Sequence, residues 1–230
     1  MLTLDEIIID RRFRGPPDSG NGGYVGGYLA SFLDGPAEVT LRLPPPLDTP
    51  LQVVQSKSGT LELRNGEQSV AYAVRTELDL EPPKVSYEDA VRAVRSAENH
   101  PFPMCFVCGP ERTDGLGILP GPVAGKEMIA APWTPGRDLA VAQRVLPQFV
   151  WAALDCPGGL AWLDAAEGHP FVLGRLAVRL ASPVVVGERY IAVGWKVGRD
   201  GRKLFSRTAL MHISGRVCGV GAATWFLMQN

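Results

Sequence analysis

The alternation of apolar and polar positions predicts two similar series of strands along the chain. Each series has an opening strand, an apolar helix and four later strands. The first opens at 6–12, has its helix at 22–33, and continues with strands at 38–43, 51–57, 60–64 and 68–78. The second opens at 126–132, has its helix within 147–165, and continues with strands at 171–180, 188–198, 202–213 and 216–227.

The two series look like copies of one unit. Pro46 and Pro183 stand 137 positions apart, and Pro50 and Gly187 show the same offset. Both copies also contain dipeptides that favour tight hairpin turns, namely Asn65-Gly66, Asp200-Gly201 and Ser214-Gly215. We therefore predict an α+β protein with an internal duplication, in which each copy contributes one helix and one curved antiparallel sheet.

The segment between the copies has a different pattern. Glu81-Pro82-Pro83 breaks the first series, and a linker helix is predicted over 86–97 with Ser86 as its N-cap. The predicted organisation is a first unit at 1–85 and a second unit at 126–230. Residues 86–125 form the linker helix and a connection that contains a Cys-x-x-Cys sequence.

Charge and composition exclude several classes of protein. The 230 residues include 23 Lys or Arg and 24 Asp or Glu, so the net charge is −1. Without a strong positive field to hold phosphates, a dedicated nucleic-acid binder is disfavoured. Four cysteines are too few for a disulfide scaffold, and the acidic residues in the first ten positions do not fit an export signal. We expect a soluble, cytoplasmic protein.

The segment 145–163 is the most apolar part of the chain. Its nineteen residues contain one charged side chain, Asp155. The length approaches the ~20 residues of a membrane span, but Pro147, Pro157 and Gly158-Gly159 interrupt it and no basic cluster flanks it. A helix that is apolar on all sides is also typical of the interior of a protein, and we favour that interpretation.

A glycine-rich stretch begins the first predicted helix. Residues 20–27 include five glycines, in a spacing that fits neither a dinucleotide-binding fingerprint nor a P-loop. Each glycine costs ~1 kcal/mol relative to alanine inside a helix, so something must offset it. One interpretation is that the glycines allow close packing. The other is that free N–H groups at the start of the helix stabilise a developing oxyanion.

Asp155 is the most informative single residue. A lone carboxylate among apolar side chains is expensive to bury, and burial should raise its pKa. Such groups are typical of functional sites, where Asp155 would act as a general base or a nucleophile. Alternatively, it caps a helix that restarts at Pro157.

Three short stretches resemble a known family. Ser19–Tyr24 resembles the opening of its central helix, Val150–Asp155 resembles the helix segment that carries a carboxylate, and Arg179–Gly187 resembles its strand, proline and glycine turn. The family is the hotdog-fold acyl-CoA thioesterase-like superfamily in its tandem, or double hotdog, form. The resemblance implies two curved antiparallel sheets, each wrapped around a long central helix.

The activity implied by this resemblance is hydrolysis of an acyl thioester bound between the two hotdog units. Coenzyme A would enter as part of the substrate, with no other cofactor, no metal and no nucleic-acid partner, and a homodimer is left open. The alternative is a non-catalytic protein that binds acyl-CoA or a fatty acyl group in a degenerate hotdog site.

The resemblance also implies site residues. It makes Asp155 the catalytic carboxylate, and it assigns the oxyanion to backbone N–H groups at Gly23, with Gly22 beside it. The residues expected to contact substrate are Asn21, Tyr24, Gln148 and Trp151.

The two copies would then complement each other. The first offers Ala30 where a carboxylate would stand, and the second offers Gln148 where a glycine would stand, so one composite site would pair Gly22-Gly23 with Asp155. The 137-residue offset gives a different register, in which these glycines lie opposite Gly158-Gly159 and Asp155 precedes the helix. Both registers are open at this point.

Cys105 and Cys108 form half of a zinc-ribbon pattern. A structural zinc needs four ligands, and His100, Cys156 and Cys218 do not supply a second close pair in the sequence. We favour a tight turn of buried thiols without a metal over a zinc site.

Two weaker signals complete the candidates. Asp164 and His169 have the D-x4-H spacing that resembles the acid–base pair of hotdog hydratases, although the residues around them do not match. Arg11, Arg12 and Arg14 could meet coenzyme A phosphates, but a solvated edge is the favoured interpretation.

Overall fold

The computed structural model describes residues 2–95, 100–166 and 169–228. The first half contains β1 (Leu2–Ile8), α1 (Gly22–Ala30), β2 (Ala37–Leu41), β3 (Pro50–Gln55), β4 (Leu61–Asn65) and β5 (Gln68–Arg75). The connection holds α2 (Tyr87–Ala93) and β6 (Gly121–Pro122). The second half contains β7 (Ile129–Trp133), β8 (Ala140–Val141), β9 (Arg144–Val145), α3 (Pro147–Leu160), β10 (Phe171–Leu180), β11 (Tyr190–Asp200), β12 (Lys203–His212) and β13 (Val217–Leu227).

The predicted elements are all present, and they differ from the prediction mainly at their ends. β1 begins and ends earlier than expected. It ends at Ile8 because Arg11–Phe13 forms a 3-10 turn, whose N-cap Asp10 accepts a hydrogen bond from the Arg12 N–H at 2.6 Å. Ser86 caps α2, as predicted, by accepting from the Asp89 N–H at 3.0 Å. The predicted last two residues of this linker helix, 96 and 97, lie outside the described residues.

Within the part of the chain that the structure describes, eleven strands form one continuous antiparallel sheet, where two separate sheets were expected. Their order is β1-β3-β4-β5-β2-β10-β13-β12-β11-β7-β6. Each half has the same internal order, from its opening strand to the strand that follows its helix. Those two strands, β2 and β10, pair with each other from Ala37↔Val178 to Thr40↔Arg175. Each would otherwise expose unpaired backbone groups at the edge of its half, and the pairing removes both edges.

The two long helices pack directly against each other beneath this sheet. An added Cβ at Gly23 would lie 2.5 Å from the Asp155 Cβ, and one at Gly27 would lie 2.6 Å from the Trp151 Cβ. The glycines therefore set the distance between α1 and α3, and the two helices run in opposite directions. This contact supports the close-packing interpretation of the glycine-rich stretch.

α3 lies in the interior of the protein. All residues from Phe149 to Leu160 are buried, and the helix continues through Pro157. β11 accommodates the proline, since an added Cβ at Gly194 would lie 2.0 Å from the Pro157 carbonyl oxygen. Among the helices in the described ranges, none has both the length and the apolar content required to cross a membrane.

Candidate active site

Asp155 lies within α3 and faces the first turn of α1. Its side chain is buried, with 2% of the residue exposed. The Oδ2 atom accepts hydrogen bonds from the Asn21 Nδ2 and from the Gly23 backbone N–H, both at 2.9 Å. The structure thus has the register in which Gly23 faces Asp155. Asp155 neither precedes α3 nor caps a restarted helix, because α3 is continuous through Pro157.

Asn21 connects the start of α1 to the carboxylate. It is the N-cap of α1, and its Oδ1 accepts from the Tyr24 N–H at 2.9 Å. Its Nδ2 donates to Asp155. An amide offers an acceptor at one end of the group and donors at the other, so Asn21 satisfies both partners at once. An aspartate here would keep the cap and lose the donor.

The second carboxyl oxygen of Asp155 has a different environment. Oδ1 is buried and has no hydrogen-bond partner among the residues that the structure describes. Burial raises the pKa of the Asp155 carboxyl to about 7, while the hydrogen bonds from Gly23 and Asn21 act in the opposite direction. One oxygen is therefore fixed by two donors, and the other makes no hydrogen bond to the described residues.

A cavity of about 390 Å³ adjoins this carboxylate. Asn21, Gly22 and Asp155 line it. Most of its wall is apolar and comes from both halves of the chain, including Leu41, Leu160, Phe171, Leu173, Trp225 and Phe226. This volume and lining are typical of a pocket for a small, largely apolar ligand.

His100 adds a polar group to the cavity wall. Its Nδ1 accepts a hydrogen bond from the Phe102 N–H at 3.1 Å, and burial lowers its pKa. A neutral ring with an accepting Nδ1 carries its proton on Nε2. That nitrogen is buried and unpartnered within residues 2–95, 100–166 and 169–228. His100 therefore presents an unpaired N–H donor near the cavity.

Three residues expected to contact substrate lie elsewhere. Tyr24 stacks on Phe13, with ring centroids 4.2 Å apart. Trp151 is buried, and its Cβ is 2.6 Å from the position an added Cβ would take at Gly27. The half-buried Gln148 contacts the same glycine, with its Cα 2.7 Å from that position. None of the three is among the described residues that line the cavity, and a role in substrate binding stays a prediction.

The surface candidates form ion pairs. Asp164 lies 3.4 Å from the Arg95 guanidinium, with 72% of its side chain exposed. Arg11 pairs with Asp48 at 3.2 Å, and Arg12 pairs with Asp138. These contacts agree with a solvated edge for the arginines.

Cys156 joins Cys105 and Cys108, an arrangement that the sequence did not indicate. The three sulfurs lie within 4.8 Å of one another, and the Cys105 and Cys156 sulfurs are 3.7 Å apart. All three residues line the cavity. The available signal was the position of Cys156 directly after Asp155, but it becomes informative only once the connection around Cys105 is placed beside α3.

The topology and the paired central helices define a hotdog fold in its double form, and solved structures agree. A protein of unknown function with a hotdog fold from Alicyclobacillus acidocaldarius matches with a TM-score of 0.68 and 10% identity, over 100% of this chain and 96% of that one. A protein from Novosphingobium aromaticivorans with a provisional thioesterase assignment matches with a TM-score of 0.67 and 14% identity, over 97% and 95% of the two chains.

The TesB protein of Mycobacterium avium subspecies paratuberculosis matches with a TM-score of 0.63 and 11% identity, over 91% of this chain and 88% of that chain. No protein-family model matches the sequence, and a search of the curated proteins finds no match. At these identities the likeness shows the fold. The hotdog fold that the resemblance implied is therefore confirmed.

Proposed function

We propose that this protein hydrolyses an acyl thioester held in the cavity beside Asp155. The observation that carries the proposal is the state of that carboxylate. Two donors fix Oδ2, whereas Oδ1 is buried without a partner in the described part of the chain. Burying an oxygen without a hydrogen-bond partner costs free energy of folding. Such an oxygen is typical of a group that binds a ligand.

In the proposed reaction Oδ1 faces the thioester carbonyl carbon. It either takes a proton from water, whose oxygen attacks this carbon, or attacks the carbon itself to form an anhydride that water then cleaves. In both routes the carbon–sulfur bond breaks and the thiol leaves with a proton. The apolar wall around Phe171 and Trp225 would hold the acyl group.

The oxyanion is better assigned to Gly22 than to Gly23. The Gly23 N–H already donates to Asp155. Gly22 is the first residue of α1 and lines the cavity, and an N–H at a first helical position has no acceptor within the helix. We therefore assign Gly22 to the developing negative charge and Gly23 to the orientation of the carboxylate.

The test is release of thiol from a panel of acyl-CoA esters, from acetyl to long-chain and aromatic. Product coenzyme A is best separated chromatographically, because Cys105, Cys108, Cys156 and Cys218 can react with thiol reagents. Asp155→Asn should lower kcat/KM by two orders of magnitude or more, since acid–base catalysis contributes about 10²–10⁴-fold. Asp164→Asn is the matched control, because Asp164 is exposed and pairs with Arg95.

Equal activity of Asp155→Asn and the wild type would contradict the proposed role. If the folded wild type hydrolyses none of the esters but co-purifies with an acyl ligand, a binding protein replaces the hydrolase. A single turnover in ¹⁸O-labelled water that puts the label in the Asp155 carboxyl group would show nucleophilic attack, because the general-base route forms no bond between the water oxygen and Asp155.

A further inference from the structure

The three clustered cysteines have the spacing of ligands to one metal ion. Their sulfurs lie within 4.8 Å of one another, and the Cys105–Cys156 separation is 3.7 Å. Zinc–sulfur bonds of ~2.3 Å at tetrahedral angles place two ligand sulfurs roughly 3.8 Å apart. A disulfide requires about 2.05 Å, and all three thiols are free. The Cys105–Cys156 separation therefore fits two sulfurs bound to one zinc ion, and the Cys108 sulfur lies within 4.8 Å of both.

The loop that carries two of the thiols is built tightly. The Gly109 N–H donates to the Cys105 carbonyl oxygen at 2.9 Å. An added Cβ at Gly109 would lie 2.5 Å from that oxygen and 2.6 Å from the Pro103 oxygen, so only glycine fits. Residues 105–109 thus close into a turn that directs Cys105 and Cys108 to the same side, toward α3.

One amide donor lies beside the cysteine cluster. The Asn21 Nδ2 lies 3.8 Å from the Cys156 sulfur, and Asn21 is the N-cap of α1. An amide donor to sulfur, together with the positive end of a helix, stabilises negative charge on a metal-bound cysteine.

Hydrophobic packing alone does not explain why these three cysteines lie together. A free cysteine is often buried as a small apolar residue. Here the sulfurs of three of the four cysteines lie within 4.8 Å of one another, and the three residues come from two separate parts of the chain. The fourth, Cys218, is equally buried but lies outside the cluster. It provides an internal comparison for a thiol that only packs.

We propose that Cys105, Cys108 and Cys156 bind one zinc ion through their three sulfurs, with the fourth coordination position toward the cavity. Zinc suits a compact thiolate set with an open position, and binding releases the thiol protons. The ion would join residues 103–109, which have no regular secondary structure, to α3 beside Asp155. The proposal replaces the metal-free turn favoured from sequence, and it does not depend on the proposed hydrolysis.

The first measurement is the metal content of the protein purified under reducing conditions from zinc-supplemented cells. The wild type should contain about one zinc per chain, and Cys105→Ser and Cys108→Ser should contain at least tenfold less. Cys218→Ser is the matched control and should retain the wild-type content. A folded wild type without zinc would overturn the proposal, as would equal zinc in Cys105→Ser and Cys218→Ser.

A second measurement, on the wild type, tests the site even if the serine variants fail to fold. The wild type is stripped with a chelator and titrated with Co²⁺, which should give thiolate-to-cobalt charge-transfer absorption that saturates at one equivalent. Absence of this band, or a Cys105–Cys156 or Cys105–Cys108 disulfide in the protein as isolated, would refute the site. Asp155→Asn should retain its zinc whether or not it hydrolyses thioesters, so the two proposals fail independently.

Discussion

Replacing Gly27 by alanine places a methyl group in the contact between α1 and α3. The new Cβ would lie 2.6 Å from the Trp151 Cβ and 2.7 Å from the Gln148 Cα. The second neighbour is backbone, and the first is attached directly to it. Rotation of a side chain cannot relieve either contact, so the two helices must move apart.

The expected magnitude combines two opposing effects. Alanine favours the helix over glycine by ~1 kcal/mol. Overpacking a well-packed interior costs about 1–3 kcal/mol, and we take the upper end because backbone is involved. The net loss in the free energy of unfolding is then ~2 kcal/mol. For a chain of this size each 1 kcal/mol lowers Tm by about 2–4 °C, which gives a fall of about 4–8 °C.

Gly26→Ala is the matched control, one residue earlier in the same helix. Its added Cβ would meet Trp151 at 3.4 Å and Val39 at 3.5 Å, which are ordinary contacts. This variant should gain up to ~1 kcal/mol from helix propensity alone. Urea titration and thermal melts followed by circular dichroism measure both variants. A Gly27→Ala protein as stable as Gly26→Ala would refute the assignment of Gly27 to the helix contact.

Two further substitutions test the site and the packing of α3. Asn21→Asp keeps an acceptor for the N-cap but places a second carboxylate against Asp155 Oδ2. The kcat/KM of thioester hydrolysis should therefore fall at least tenfold, while circular dichroism still reports a folded chain. A wild-type kcat/KM would contradict the role of the amide. Gly194→Ala places a Cβ 2.0 Å from the Pro157 oxygen and should cost ~3 kcal/mol or more in urea titrations, or prevent folding. Gly198→Ala, which meets nothing within 4 Å, should remain within ~1 kcal/mol of the wild type, and equal midpoints for the two would refute the argument.

The strands and helices followed from the sequence because their periodicity is local. The contact between Gly23 and Asp155 belongs to one of two registers that the sequence left open. The resemblance favoured this register, and the offset between the copies favoured the other. Whether the two sheets join could not be predicted, because the pairing of β2 with β10 depends on how the halves dock. The positions of Tyr24 and Trp151 depend on how α1 and α3 are rotated about their axes. The sequence does not define this rotation, because both helices have apolar residues on all sides.

The cysteine cluster was hidden for a different reason. Residues 100–118 have neither helical nor strand periodicity, so the sequence gives no direction for Cys105 and Cys108. Their turn is held by contacts across the chain, such as the bond from the Phe106 N–H to the Arg14 carbonyl oxygen at 2.8 Å. Only the folded connection brings the two thiols to Cys156.

The presence of both halves in one chain has a consequence for symmetry. In an assembly of two identical subunits every residue occurs twice, so a carboxylate on the central helix would create two equivalent sites. Here α3 carries Asp155, while α1 carries the buried Ala30 at the position that the resemblance equates with it. The two helices can therefore specialise: under the proposed function α3 supplies the carboxylate, and α1 supplies the N–H groups of Gly22 and Gly23. The chain should then bind one ligand molecule rather than two.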